Sequence, residues 1–415
     1  MERSHEADHV LDGRINEYKS KYEASFMACM NPDSHSGRIL FMDPEFSLGA
    51  ACEFVRLYET RYPERGRAFD RFFQRVDPQL SEHMMKIRCM TYMLEEETVV
   101  RMLGAMEKTR GIYMEMSLAP NPKKGGASAY FGRDMFYRPR IRYYEIEAKG
   151  RLAPPYKTFF HEFGHGFDDI QKWGRGFYSD RFSFTQKAEK KQLRYDKEKG
   201  RLVMDCPCAV YKKTIHQWMA FDVENHIIHT AYQLVSEGRK GRSRQRYLSP
   251  GISPELWLRI IEFVTYQRFL KPEGIKLEEM MPQPGTSSEV KGKGGEESGW
   301  DCHKYEPEIQ DLYEDIQEIT NQIVLKNVFG MIVLPKDLFG GITNNQLGGG
   351  HSGAYWFGRF GRKREVSREA FAGYFEYRST VMDAGIQEQV INPHHCIPCT
   401  AKALEGMLER MFETD

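Results

Sequence analysis

The residues of this chain best placed to do chemistry are His161, Glu162 and His165, in the stretch YKTFFHEFGHGFDD from Tyr156 to Asp169. The order is His-Glu-x-x-His. On a helix, side chains four residues apart lie on one face, one turn above the other, so both imidazoles can address a single metal ion. Glu162 follows the first histidine closely enough to manage the proton of a water that the metal activates. Two nitrogen ligands and an open position suit zinc. Phe159, Phe160, Phe163 and Phe167 supply the apolar surface that would bury such a helix, and Thr158 is placed to cap its start.

Two histidines leave a catalytic zinc site one protein ligand short. Arg368–Tyr377, reading REAFAGYFEY, predicts a second helix with Ser367 as cap and Glu369 in its first turn. Glu369 is the expected third ligand, because Phe371, Tyr374 and Phe375 can pack this helix on the first. Glu365 and Glu376 compete for the role. Another set, Glu224, His226 and His229, sits in an amphipathic pattern where a core or surface role is expected instead. Asp168 and Asp169 follow the histidine pair by one turn, where an acceptor for a ligand imidazole is expected. The HHCIPC run with His394, His395, Cys396 and Cys399, taken with Cys206 and Cys208, could close a structural zinc site, although unlinked reduced thiols are the plainer expectation.

These residues need elements to hold them. Ala50–Tyr62, Gly66–Val76 and Leu80–Met106 carry apolar residues at helical spacing, broken at Pro63 and Pro78, and the methionines from Met84 to Met106 read as core. Ile141–Ile146 is β-branched and aromatic and predicts a strand, either an interior one or the wall of a cleft to which an extended peptide could add. Pro154 and Pro155 close the connection before the motif. Gln171–Gly200 is polar and basic and reads as an exposed, irregular excursion. Helices are expected over Tyr211–Val235, Ser253–Leu270 and Pro307–Val328. GRKGRSRQR (Gly238–Arg246) reads as a solvated loop, and Pro282–Gly299 as a flexible linker. The glycine-rich Gly340–Gly350 lacks the Gly-Lys-Ser/Thr ending of a phosphate loop.

Composition narrows the classes. The chain has 415 residues with 59 Lys+Arg against 59 Asp+Glu, so it has no net charge with which to attract nucleic acid or a membrane surface. No apolar run approaches a membrane span. Eight cysteines in this length are too few for a disulfide scaffold. The opening stretch MERSHEADHVLDGRINEYK lacks the apolar core of a secretory signal, so the expectation is a cytoplasmic protein or one exported by a route that needs no such signal. The elements add up to an α+β chain that is mostly helical.

HEFGHGFDD together with EAFAGYF resembles the catalytic domain of anthrax lethal factor and its relatives, among them the proline-specific secreted clostridial endopeptidases. FGGITNNQLGGGHSGAYW followed by REAFAGYF is similar to lethal-factor-like metallopeptidase domains attached to phage minor head proteins in gut Firmicutes. The resemblance implies a zincin-like core of the gluzincin type, with a small sheet beside the active-site helix. It implies His161, His165 and Glu369 as zinc ligands and Glu162 as general base. It also implies a tyrosine that stabilises the oxyanion. Tyr355 is the nearest match, further upstream than the family spacing, and His351 is a second donor in the same stretch. Residues 1–110 would form a helical N-terminal region and 111–415 the peptidase domain. The gap between His165 and Glu369 is far longer than in lethal factor, which makes 171–336 an insertion or lid. The implied activity is zinc-dependent hydrolysis of peptide bonds in a protein or peptide substrate. Two other readings remain open from the residues: a catalytically silent, zinc-stabilised binding module of a phage-like or toxin-like element, and a hydrolase of a non-peptide amide or ester.

Overall fold

A computed structural model describes residues 2–29, 48–73, 75–94, 96–107, 113–117, 129–133, 139–144, 155–170, 177–237, 252–270, 302–325, 334–343, 345–348, 364–380 and 393–413. The described residues form mostly helices with small sheets. Helices α1 (Glu2–Cys29), α2 (Leu48–Arg61) and α3 (Pro63–Phe72) come first. Residues Ala51, Phe54, Val55, Leu57 and Tyr58 of α2 are buried, the one-sided spacing expected of an amphipathic helix. Pro63 opens α3 instead of merely ending α2, because the first helical position needs no backbone N–H.

Sequence periodicity carries α3 on to Val76, but Arg75–Val76 is a strand, β1. The expected long helix Leu80–Met106 is two helices, α4 (Ser81–Met93) and α5 (Glu96–Glu107). The chain turns extended at Leu94, with ψ of 160°, and buries that side chain. The Lys19 ammonium donates to the Leu94 carbonyl at 3.3 Å. No proline or glycine marks this break, so only packing reveals it. Met84, Met90, Met102 and Met106 are core residues, as expected.

Strands β2 (Tyr113–Ser117), β3 (Ala129–Arg133) and β4 (Pro139–Tyr144) join β1 in a mixed sheet of order β1-β2-β4-β3. β1 pairs parallel with β2, β2 parallel with β4, and β3 antiparallel with β4, Phe131 opposite Ile141. The strand expected at Ile141–Ile146 is thus an interior one starting two residues earlier, and β3 forms the outer edge. The β1–β2 pairing runs across residue 110. Phe72 and Phe73, at the end of α3, pack at a tilt against Phe163 with ring distances of 5.5 and 5.6 Å.

Helix α6 (Pro155–Ile170) carries the motif. It starts at Pro155, so Thr158 lies inside it and does not cap it. The polar stretch after it is not an irregular excursion. β5 (Ser183–Glu189) pairs antiparallel with β8 (Cys208–Thr214), and β6 (Gln192–Asp196) with β7 (Arg201–Asp205). The sequence shows no apolar alternation here because buried positions are polar: Gln186 is 7 % exposed and its amide donates to the Cys399 carbonyl at 2.8 Å, and Asp196 accepts from the N–H groups of Glu198 and Lys199. Gly200, at φ +61°, completes that turn in the left-handed region glycine favours.

Helices α7 (Ile215–Glu237), α8 (Pro254–Phe263), α9 (Glu306–Leu325), α10 (Leu334–Thr343), α11 (Arg364–Thr380) and α12 (Pro398–Phe412) complete the fold. Ser253 caps α8 by accepting from the Leu256 N–H at 3.2 Å, and the helix continues as a π-turn over Val264–Phe269. The described parts of 171–336 share one core with α6 and α11: Trp218, Ile260 and Ile309 are buried together with Phe163 and Phe371. Asp222 of α7 reaches across to α12 and accepts from the N–H and hydroxyl of Thr400, both at 2.7 Å. No helix among the described residues is long and apolar enough to cross a membrane. The linker expected at Pro282–Gly299 and the basic loop Gly238–Arg246 lie outside the described residues.

His226 of α7 gives this core a pH dependence. It bonds the Thr320 hydroxyl at 2.9 Å and packs edge-on against Phe339. Burial, with His229 and Lys191 nearby, pushes its pKa down to about 4. Above its unfolded pKa of about 6.5 the ring is neutral in both states and the term vanishes. Below that, the unfolded chain takes a proton the folded chain refuses. Stability is therefore lost down to pH 4, by up to ~3 kcal/mol. Asp222 acts oppositely: burial raises it to about 6, so the folded chain gains relative stability as pH falls below 6. The clean measurement is the difference between wild type and His226→Gln, whose amide can still bond Thr320. Denaturant titrations should show the variant gaining ~2–3 kcal/mol on wild type between pH 7 and pH 4. A difference that stays constant would mean the folded ring accepts the proton.

Candidate metal centre

α6 has two chemically distinct sides. Phe160, Phe163 and Phe167 are fully buried, while His161 and His165 are only partly covered. α11 crosses α6 at Gly164. A Cβ at that position would lie 2.9 Å from Ala372 Cα and 3.1 Å from Phe375 Cβ, so only glycine allows this approach. Phe375 packs on Phe163 and Phe167 at ring distances of 5.3 and 5.7 Å. This contact fixes which face of α11 meets the histidines.

That face carries Glu369. Its Oε2 lies 3.0 Å from His161 Nε2 and its Oε1 3.2 Å from His165 Nε2. The sequence places Glu369 in a first turn capped by Ser367. α11 in fact starts at Arg364, so Ser367 lies inside the helix and Glu369 in its second turn. The carboxylate is 4 % exposed. Burial works against its charge, but His165 and His161 overcome this and hold its pKa well below the usual carboxylate range. Burial likewise opposes a charge on His161, and Glu369 and Glu376 outweigh it, raising the imidazole well above its ordinary value. Both shifts have one cause: the carboxylates and the rings stabilise one another's charged forms.

Glu162 lies beside the trio. Its Oε2 accepts the Phe131 N–H of β3 at 2.5 Å. Burial raises its pKa, offset in part by His165 and His161. Because Phe131 N–H points at Glu162, it is turned away from β4, and the two-residue period turns Ala129 and Arg133 the same way. The outer edge of the sheet therefore borders the base.

The acceptors expected for the ligand histidines are placed elsewhere. Asp168 accepts the N–H of Ser179 at 2.8 Å and its hydroxyl, and burial pushes it up to about 7. Asp169 pairs with Arg133 at 2.7 Å, tying α6 to the end of β3. It is Glu376 that meets His161, with Oε2 3.3 Å from Nδ1. Glu365 pairs with Arg368 at 3.1 Å and stays out of the site. Arg368 also pairs with Asp180 at 2.8 Å and stacks over Phe177 at 4.1 Å, and Phe177 lies edge-on to His165. That aromatic and ionic contact anchors α11 next to Glu369, and no spacing rule pointed to it. Tyr355 and His351 lie outside the described residues.

Among the described residues, one group of His, Cys, Asp and Glu side chains could hold a metal ion: His161, His165 and Glu369, whose ligand atoms lie within 4.8 Å of one another. Glu224 instead pairs with Lys190 and accepts from the Tyr266 hydroxyl at 2.7 Å. Cys206 and Cys208 are exposed and Cys396 and Cys399 half-buried, and they form no metal group with His394 and His395. Tetrahedral zinc with bonds of about 2.0–2.1 Å sets neighbouring ligand atoms ~3.3 Å apart. Two imidazole nitrogens and a carboxylate are a donor set that suits such an ion, and the two nitrogens face opposite oxygens of the one carboxylate at 3.0 and 3.2 Å. In comparisons with known proteins, no family model, no curated protein and no solved structure matches the chain.

Proposed function

We propose that the protein is a zinc-dependent metalloendopeptidase with a zincin-like core. The observation that carries this reading is the convergence of His161, His165 and Glu369 with Glu162 beside them, at the outermost of the described strands of a sheet. His161, His165 and Glu369 would hold the ion, and its chemistry would be Lewis-acid activation of water and polarisation of the scissile carbonyl. A structural site has no need of a carboxylate held against it by a backbone N–H. Glu162 takes the proton of the attacking water and returns it to the leaving amine. An extended substrate segment would lie along β3, using main-chain hydrogen bonds as an added strand. Tyr355, as the resemblance to lethal-factor-like peptidases implies, or else His351, would donate to the oxyanion.

The test is incubation of the full chain with a diverse peptide library, read by mass spectrometry with and without a zinc chelator. Internal cleavages that vanish with chelator and return with added zinc are expected. Zinc binding that raises the melting temperature without any cleavage would instead identify a silent binding module.

A further inference from the structure

The two glutamates of α11 near the histidines meet different nitrogens of one ring. Glu369 and Glu376 are seven residues apart, so they lie on one face of the helix, about 10.5 Å apart along its axis. The His161 imidazole bridges them: Nε2 is 3.0 Å from Glu369 Oε2, and Nδ1 is 3.3 Å from Glu376 Oε2. Glu376 is 5 % exposed. Resting on the metal-centre reading above, we propose that Glu376 is a positioning residue that accepts the Nδ1 proton of His161 and so presents Nε2 to the metal.

The argument is one of tautomers. A neutral imidazole has one nitrogen that donates and one that accepts. Nε2 can offer a lone pair to a cation only if Nδ1 carries the proton, and an acceptor at Nδ1 favours that tautomer. Glu376 supplies it, and its negative charge makes the ring a stronger ligand. The two carboxylates that follow the motif are committed to Ser179 and Arg133. Glu376 reaches the far nitrogen, so it serves the site through His161 and not as a ligand in its own right.

The experiment measures zinc affinity of the full chain by competition with a chelating dye, in wild type, Glu376→Gln, Glu376→Ala and Glu369→Ala. The Glu376→Gln variant keeps an acceptor oxygen but loses the charge, and it should bind zinc severalfold more weakly. Loss of the acceptor in Glu376→Ala should weaken binding ~10–100-fold. In NMR spectra of histidine-labelled, zinc-loaded protein, the hydrogen-bonded Nδ1 proton of His161 should be present in wild type and absent from Glu376→Ala. Zinc binding by Glu376→Ala equal to wild type, while Glu369→Ala loses it, would overturn the proposal and leave the metal centre standing. Loss as complete as in Glu369→Ala would make Glu376 a ligand and overturn it too. A wild type that binds no zinc would remove the metal centre itself. If Glu376→Ala does not fold, the Gln variant carries the test.

Discussion

Glu162→Gln should bind zinc as wild type does and hydrolyse peptides ~10²–10⁴-fold more slowly. The substitution is nearly isosteric. The amide oxygen can still accept the Phe131 N–H that now reaches the carboxylate at 2.5 Å, so the fit of α6 against β3 is preserved. What it loses is the ability to take a proton and give it back. The effect should therefore fall on kcat, with zinc stoichiometry and melting temperature close to wild type. Kinetics on any peptide cleaved by the wild type, paired with metal analysis of the same sample, checks it. Turnover at the wild-type rate would remove Glu162 from the mechanism. Lost zinc together with lost turnover would show that Glu162 helps hold the ion.

Gly164→Ala should disturb the site without touching a single ligand. An added Cβ would sit 2.9 Å from Ala372 Cα and 3.3 Å from its carbonyl oxygen. These are backbone atoms, so relief requires α11 to move away from α6. Overpacking of this kind costs about 1–3 kcal/mol. Glu369 and Glu376 ride on α11, so the displacement should also weaken zinc binding. Gly104 in α5 is the control: a Cβ there meets nothing within 4 Å, and Gly104→Ala should stabilise the chain by about 0.5–1 kcal/mol through helix propensity. Denaturant titrations and zinc affinities of both variants separate the outcomes. Unchanged stability and affinity in Gly164→Ala would mean that the helix contact is not what sets the distance between Glu369 and the histidines.

Local sequence pattern by itself determined much of this molecule. His161 and His165 four residues apart had to share a helical face, and the phenylalanines had to bury the opposite one. The aromatic spacing around Glu369 marked a helix able to pack there. Helical periodicity also marked α2 and α9 to within a few residues of their ends and located α7 and α8, although Tyr211–Thr214 belongs to β8 and α8 passes into a π-turn after Phe263.

Tertiary structure decided the rest, because it depends on contacts between residues far apart in the chain. The Leu94 break has no local marker; its cause is burial of that side chain. Strands β5 to β8 hide their alternation behind Gln186 and Asp196, polar residues that bury well only because distant or turn partners satisfy them. Asp168, Asp169 and Glu376 were all carboxylates near a histidine in one sense or another. Sequence distance favoured the first two, but Ser179 and Arg133 claim them, and the helix crossing at Gly164 brings Glu376 to His161 from more than two hundred residues away. Spacing specifies what one helix can present, whereas the partner of a buried polar atom is chosen by how closely two helices can approach.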